Sequence, residues 1–548
     1  MAGVSGHTED WKSLPWKQFQ RNVFRLQQRI YRASRGGDLK QVRNLQRLLL
    51  RSWSARCLAV RKVTQDNRGK RTPGVDGVAS LTPRQRLALA RELGDLSQKP
   101  DPIRRTYVPK PNGERRPLGI PTMANRALQA LVKLALEPEW EARFEANSYG
   151  FRPGRSVHDA IGAIFNGIRL KPKYVLDADI EKCFDRIDRE ALLTKLSAIE
   201  PITRLIRGWL RAGIVDEGET LYPEEGVPQG SPLSPLLANV ALHGLETELV
   251  KSQPRRKRPQ VIRYADDLVV LHPDLDMLER LQERAENWLA TIGLHFKPSK
   301  TRIVHTLNAH EGRQAGFDFL GFTIRQYPVG KHRTYTYRGQ PGYKTLTQPS
   351  KAAQKRHMEE LRQVIHRNRG NSQAGLIAAL APIIRGWSNY YRASAAKRIF
   401  GRLDQGLFHK LYKWAVWRRP SKTWGYHYQR YWRRHGSRLW FSDGKNRLYL
   451  HHDTNIQRYI KVRGDKSPFD GDWPYWTVRL GRDPTRPQRV VTLLQRQRGQ
   501  CCCCGLHFTK EDTPEIHHLN ENRRDTRYVN LVLLHGHCHD QMHRGRCL

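Results

Sequence analysis

Acidic side chains are scarce in this chain, cysteine is rare, and no long apolar run occurs. Each shortage excludes something. Eight cysteines in 548 residues are too few for a disulfide scaffold, which small secreted domains build from dense pairs. No window approaches ~18 consecutive apolar residues, so no transmembrane helix is expected. The first 20 residues lack an apolar core, so no secretory leader is expected. No basic amphipathic terminal helix or lipidation signal stands out, which argues against a membrane partner. Hydrophobic residues still make up 38% of the chain. That is enough to bury sizeable cores and excludes global disorder. At roughly 100–200 residues per domain, the length implies about three to five domains.

What is present is positive charge. Lys and Arg number 96 against 52 Asp and Glu, a formal net charge of +44. Such a surface calls for a polyanion, because neutralising phosphates releases their counterions. Nucleic acid is the expected partner. Residues 351–440 change character, with 20 basic residues, 3 acidic and 14 aromatic. The aromatics include Trp387, Tyr390, Tyr391, Trp414, Trp417 and Trp432. Aromatics beside Arg can stack on unpaired bases, although core packing is the commoner fate of any single one.

The apolar spacing of Phe19, Val23, Leu26 and Ile30 predicts a helix from Trp16, broken at Gly36-Gly37. A second helical run is expected over Leu39 to Val63. From Ile103 to about Val329 the pattern mixes strand and helix. Thr106 to Pro121 reads as two short strands around Pro111-Asn112-Gly113. Asn125 to Phe144 reads as a helix and Lys173 to Ile180 as a strand. Ser234 is expected to cap a helix running to about Leu249, with Pro235 at its first position. Val261 to Leu271 reads as strand–turn–strand, and Phe317 to Ile324 as further strand.

The turn Tyr264-Ala265-Asp266-Asp267 lies between Val261-Ile262 and Leu268-Val269-Val270-Leu271. Two adjacent acids at the tip of an apolar hairpin, facing a third carboxylate, can hold two divalent ions for phosphoryl transfer. The third carboxylate lies on Lys173 to Asp188, where Asp177 and Asp179 share one strand face. Either serves on pattern alone. Asp185 and Asp188 read as structural, with Asp188 a cap for the next helix. Near the C-terminus, Cys501-x2-Cys504 and His535-x2-Cys538 form two pairs of soft ligands that suit tetrahedral Zn²⁺. Adjacent cysteines close disulfides poorly, so none is expected here, and Cys502 and Cys503 remain open as competing ligands. His517-His518, Asn530, His539 and His543 are interleaved with these pairs. His539 and His543, four apart, share a helical face.

Nine motifs stand in one order: KRTPGVDG, PKPNGERRPLGIP, SYGFRPGRS, DADIEKCFDRID, GVPQGSPLSPLLAN, YADD, GLHFKPSKT, FLGF and IIRGWSNYYR. With these motifs the chain resembles the group II intron-encoded proteins, which are reverse transcriptases and maturases with a C-terminal HNH endonuclease. The resemblance implies a multidomain α+β chain. It would comprise a helical extension (1–69), right-hand polymerase fingers and palm (70–330), a helical maturase thumb (331–430), a DNA-binding region (431–495) and a ββα-metal HNH domain (496–548).

The resemblance also assigns roles. Asp179, Asp266 and Asp267 would hold Mg²⁺, and Phe184 would line the sugar pocket. Lys110, Arg116, Gln229, Gly230 and Lys300 would serve the incoming dNTP, with Lys300 protonating the leaving pyrophosphate. Arg189 stands where many relatives have His, a change expected to touch only the start of a helix. His517, His539 and His543 would hold Mg²⁺ or Mn²⁺, with His518 as general base and Asn530 orienting it. The partners implied are group II intron RNA, double-stranded target DNA and dNTPs. The implied activity is assisted splicing, then intron insertion by reverse splicing, second-strand cleavage and target-primed reverse transcription. The setting implied is a bacterial cytoplasm, at the nucleoid when on DNA, or an organelle. Two rivals are a splicing factor without polymerase activity and a nuclease whose polymerase half is a scaffold.

Overall fold

The computed structural model describes residues 10–109, 113–251, 253–329, 342–436 and 438–543. The N-terminal stretch folds as helices Trp16–Arg35, Leu39–Arg51 and Trp53–Arg61. The first buries Phe19, Val23 and Ile30 along one face. The run expected from Leu39 to Val63 is interrupted at Ser52, whose hydroxyl accepts from the Ala55 amide and starts a new helix. A short polar side chain that bonds the backbone favours a cap over a helix interior. These helices pack on the buried helix Met123–Glu141, where Gln46 donates to Glu139 at 2.7 Å. Leu45, Leu49, Leu131 and Trp140 share one core.

The central sheet runs Gln260–Tyr264, Asp267–His272, Tyr174–Asp179 and Arg302–His305 in spatial order, antiparallel throughout. Both of its faces are covered. Leu176, Ala178, Leu268 and Val270 join the core of the N-terminal helices. Val175, Ile262, Val269, Leu271 and Val304 join a second core with Phe317, Phe322 and Tyr391. Strand alternation then decides the site: Asp177 and Asp179 continue the Val175 row, and Asp267 continues the row of Val269 and Leu271.

A second sheet has the order Arg115–Ile120, Ile103–Pro109, Ile214–Asp216, Glu219–Leu221. Its first two strands are the expected pair; the turn residues Pro111 and Asn112 lie outside the described residues. Ser234 is not a cap. It is the first residue of helix Ser234–Leu242, and its hydroxyl is drawn back to the Pro228 carbonyl at 2.6 Å. The helix stops short of Leu249 because Gly244 turns left-handed (φ +104°) and a new helix, Leu245–Val250, follows.

Helices Lys351–Arg367, Gln373–Tyr391 and Lys397–Arg418 enclose Leu361, Leu380, Ile384, Leu407 and Leu411. The aromatics of this region divide. Tyr391, Trp414 and Trp432 are buried, Trp387 and Tyr390 partly so, and Trp417 is exposed. The C-terminal unit holds helices Trp473–Leu480 and Gln488–Arg496, a hairpin of Glu515–His518 with Leu531–Leu534, and helix Gly536–Met542. No helix among the described residues is long and apolar enough to cross a membrane.

Candidate functional site

Antiparallel pairing sets Asp179, the last residue of its strand, directly opposite Asp267, the first residue of the next. Asp266 sits beside them at the hairpin tip. Ala265 takes a left-handed φ of +57° there. Gly150 lies against this turn so closely that a Cβ would stand 2.3 Å from the Ala265 amide nitrogen. A buried network fixes the hairpin from below. Arg263 donates to Asn239 at 3.1 Å and to the Ala265 carbonyl at 3.3 Å, and Asn239 donates to the Gly150 carbonyl at 2.8 Å. Gly150 and Phe151 belong to the SYGFRPGRS stretch, which carried no role in the sequence reading. Arg263 gave no signal, being one basic residue in an apolar strand.

The geometry separates the two candidate strand acids. Asp177 receives two bonds from Arg302, at 2.9 and 2.7 Å. Asp179 faces Asp267 and accepts from Lys300 Nζ at 2.8 Å. That bond raises the Lys300 pKa. Burial raises the carboxyl pKa of Asp266, with Asp179 adding to it while Arg116 and Lys300 oppose. Burial, then Asp266 and Asp179, push Asp267 up to about 7. Crowded carboxylates that resist ionisation are a site waiting for cations. Their hard oxygens fit Mg²⁺, and Lys300 occupies one of the two Asp179 oxygens, Oδ2.

Around these acids stand the other expected residues. Phe184 is half-buried against the core and meets Phe151 edge-on at 6.2 Å. Gln229 accepts from the Gly119 amide through its carbonyl at 2.6 Å. Gly230 (φ +112°) crosses Gly119 where a Cβ would lie 2.6 Å from the Gly119 carbonyl oxygen, so glycine is required. Arg116 is exposed on strand Arg115–Ile120. Lys110 lies outside the described residues. Arg189 does more than start a helix: its guanidinium donates to the carbonyls of Gly226, Pro223 and Glu225 at 2.7–3.0 Å. It thereby clamps the segment leading into Val227-Pro228-Gln229.

At the C-terminus the ligand atoms of Cys501, Cys504, His535 and Cys538 all lie within 4.8 Å of one another, and all four residues are buried. Three soft sulfurs and one nitrogen fit tetrahedral Zn²⁺. Asp512 stands 3.7 Å behind His535 Nε2, while Nδ1 faces Cys504. Cys502 is exposed and free. Cys503 is disulfide-bonded, contrary to the expectation of none.

His517, His539 and His543 form a second set within 4.8 Å. His539 and His543 meet through their Nε2 atoms at 3.2 Å, and Glu515 holds His539 Nδ1 at 2.6 Å. A carboxylate behind a ligand histidine fixes its tautomer and leaves the other nitrogen for a cation. Glu515 was not singled out in the sequence. Burial lowers the His517 pKa, as do its histidine neighbours, which keeps a lone pair free. Asn530 is buried, but its side chain bonds the Asn520 amide and the Asp525 carbonyl rather than His518. It orders the loop 519–530, because a buried amide is satisfied by the nearest backbone groups.

Residues 108–324 match the family described as reverse transcriptase (RNA-dependent DNA polymerase), residues 11–93 the N-terminal domain of reverse transcriptase, and residues 354–432 the group II intron maturase-specific domain. The chain is 32% identical to Protein YkfC of Escherichia coli (strain K12) over 306 residues, 48% of this chain and 78% of that protein. It is 32% identical to the group II intron-encoded protein LtrA of Lactococcus lactis subsp. cremoris over 248 residues, 43% of this chain and 41% of LtrA. Maturase-like protein 1 of Euglena gracilis is 27% identical over 393 residues, 70% of this chain and 78% of that protein. With an N-terminal extension, a carboxylate-bearing central sheet and a maturase-specific helical region in succession, the chain belongs to the reverse transcriptases of the group II intron-encoded family.

Proposed function

We propose that the protein copies RNA into DNA at Asp179, Asp266 and Asp267, and that it binds group II intron RNA, assists its splicing and carries it into double-stranded DNA. The observation that carries the polymerase reading is the register setting Asp179 opposite Asp267 beside the Asp266 tip, within the electrostatic reach of Arg116 and Lys300. Magnesium held by these carboxylates would stabilise the attacking and leaving oxygens of phosphoryl transfer. The remaining work belongs to the chain. Arg116 steadies the triphosphate, and Gly230 lets backbone approach the new base pair. Phe184 with Phe151 walls the sugar. Lys300, freed from Asp179, supplies the proton to pyrophosphate as its bond to the α-phosphorus breaks.

The C-terminal unit is proposed as an HNH endonuclease that nicks the second DNA strand. His517, His539 and His543 would hold the cation, His518 would take the proton from water, and zinc on Cys501, Cys504, His535 and Cys538 would support the fold. A splicing factor without polymerase activity would have no use for three crowded carboxylates. The deciding experiment is primer extension on an RNA template with dNTPs and Mg²⁺. Product in the wild type, and none from Asp266→Ala, supports the reading; no product in the wild type sinks it.

A further inference from the structure

The helices Lys351–Arg367 and Lys397–Arg418 diverge into a groove of about 340 Å³. Its walls follow from helix periodicity. Lys410, Lys413 and Trp417 fall at i, i+3 and i+7 on one helix, and His366 and Arg369 lie across from them. The floor is apolar, with Trp414 only 2% exposed. One turn further along, Trp417 is 51% exposed. A large ring left half open at the rim of a cationic groove is not packing a core. The Arg369 guanidinium lies over that ring at 5.4 Å from its centroid. Arg418 donates to the carbonyls of Arg369 and Asn371 and ties the two helices together at this end. Arg362, also in the groove, is neutralised by Glu359. Among the described residues Lys413 and Arg369 have no acidic partner within ion-pair distance, and Lys410 has only the electrostatic influence of Glu359, which Arg362 already pairs.

We propose that this groove binds one unpaired nucleotide of single-stranded RNA. Its base stacks on Trp417 in place of the Arg369 guanidinium that now covers the ring, and its phosphate rests between Lys410 and Lys413. Three features select that ligand. The charge fits a phosphodiester. The half-open indole offers a π-face, which any unstacked base can use. A cleft between two adjacent helices admits a single nucleotide but not a duplex, whose base faces are hidden and whose wall of phosphates is convex. The proposal rests on intron RNA being the partner and adds that an extruded base of that RNA is what this face reads.

The test uses the full chain and a single-stranded RNA of about 12 nucleotides carrying one 5-iodouracil, which couples to aromatic rings stacked on it when irradiated. Adducts are mapped by mass spectrometry. Label on Trp417 is expected, retained in Trp417→Phe and reduced at least about fivefold in Lys410→Glu/Lys413→Glu. Trp417→Ala should lose the adduct on peptide 397–418 while other adducts persist. Labelling of other sites without Trp417 overturns the proposal. Equal labelling of Trp417 by the same sequence as duplex RNA overturns the unpaired base, and equal labelling by single-stranded DNA overturns the RNA assignment. Asp266→Ala should be labelled like the wild type. Failure of primer extension would therefore sink the polymerase reading and leave this one standing, and loss of the Trp417 adduct would do the reverse.

Discussion

At the scale of single residues, Asp177 and Asp179 illustrate how far pattern reaches. Both sit on one face of one strand, and period two makes them equivalent. What separates them is the neighbouring strand. Arg302 lies opposite Asp177 and neutralises it, whereas Asp267 lies opposite Asp179. Register is a long-range property, so the residues alone left both open and only the family motif pointed to Asp179. The substitutions should diverge accordingly. Asp266→Ala and Asp179→Ala are expected to lower primer extension by at least about 10³-fold, several kcal/mol of lost cation-dependent stabilisation. Asp177→Asn should cost less than about tenfold, because its partner is Arg302. Splicing assisted by Asp266→Ala should persist, since the chemistry of splicing belongs to the RNA. The same contrast applies at the C-terminus. Cys504→Ser should release zinc and unfold the tail, because metal binding supplies much of the stability of so small a unit. His518→Ala should keep its zinc and lose only second-strand cleavage. Metal analysis beside a two-strand cleavage assay checks both.

At the scale of elements, the hairpin itself was legible: an apolar run, two residues of turn and another apolar run admit little else. Its support was not, because it comes from distant segments whose polar residues look ordinary in sequence. Arg263 is buried beneath the tip, with Glu145 and Glu246 in its electrostatic surroundings. Glu145 accepts from the amides of Gly244 and Thr247. Glu246 accepts from Asn147 at 2.9 Å. Burial pushes the Glu246 carboxyl up to about 7, with Glu145 adding to it. The sign follows. The fold favours the protonated acid, so the stability it confers is complete below the ordinary Glu range near 4.5 and is lost as pH rises through about 7. Glu246→Gln should therefore melt with the wild type at acid pH and a few degrees above it at pH values beyond 7. A melting series across that range checks it, and an unchanged difference at every pH would show that Glu246 is not the titrating group. Helix ends were the other illegible feature. Ser52 caps its helix and Ser234 does not, because the Ser234 hydroxyl is turned back to the Pro228 carbonyl instead of toward the following amides.

At the scale of the whole molecule, a positive surface and a continuous fold answer different questions. The net charge of +44 predicted a polyanion but not its place. If the partner is bound through ~6–10 phosphates, affinity should fall about 10³–10⁵-fold between 50 and 200 mM salt, and a flat dependence would remove the electrostatic argument. The order of domains was legible from motifs. Their mutual attachment was not, because it runs through single ion pairs hundreds of residues apart. Arg61 reaches Asp540 at 3.2 Å, joining the N-terminal helices to the C-terminal helix. The deepest joint is Arg479 with Asp159. One terminal nitrogen of Arg479 donates to both carboxylate oxygens at 2.8 Å, and the other donates to the Gly154 carbonyl at 2.6 Å. Asp159 is 0% exposed and Arg479 6%. Asp159 also accepts from the amides of Ser156 and Val462, so one carboxylate binds the polymerase helix Val157–Ile168 to the downstream chain. Removing one partner of a buried pair costs about 3–5 kcal/mol, chiefly because the other charge is left unpaired. Arg479→Ala should therefore loosen the C-terminal unit from the polymerase, seen as faster limited proteolysis between residues 440 and 500. Asp159→Asn combined with Arg479→Gln, which removes both charges, should recover part of the resistance. If the single variant resists protease like the wild type, the joint does not hold the two units together.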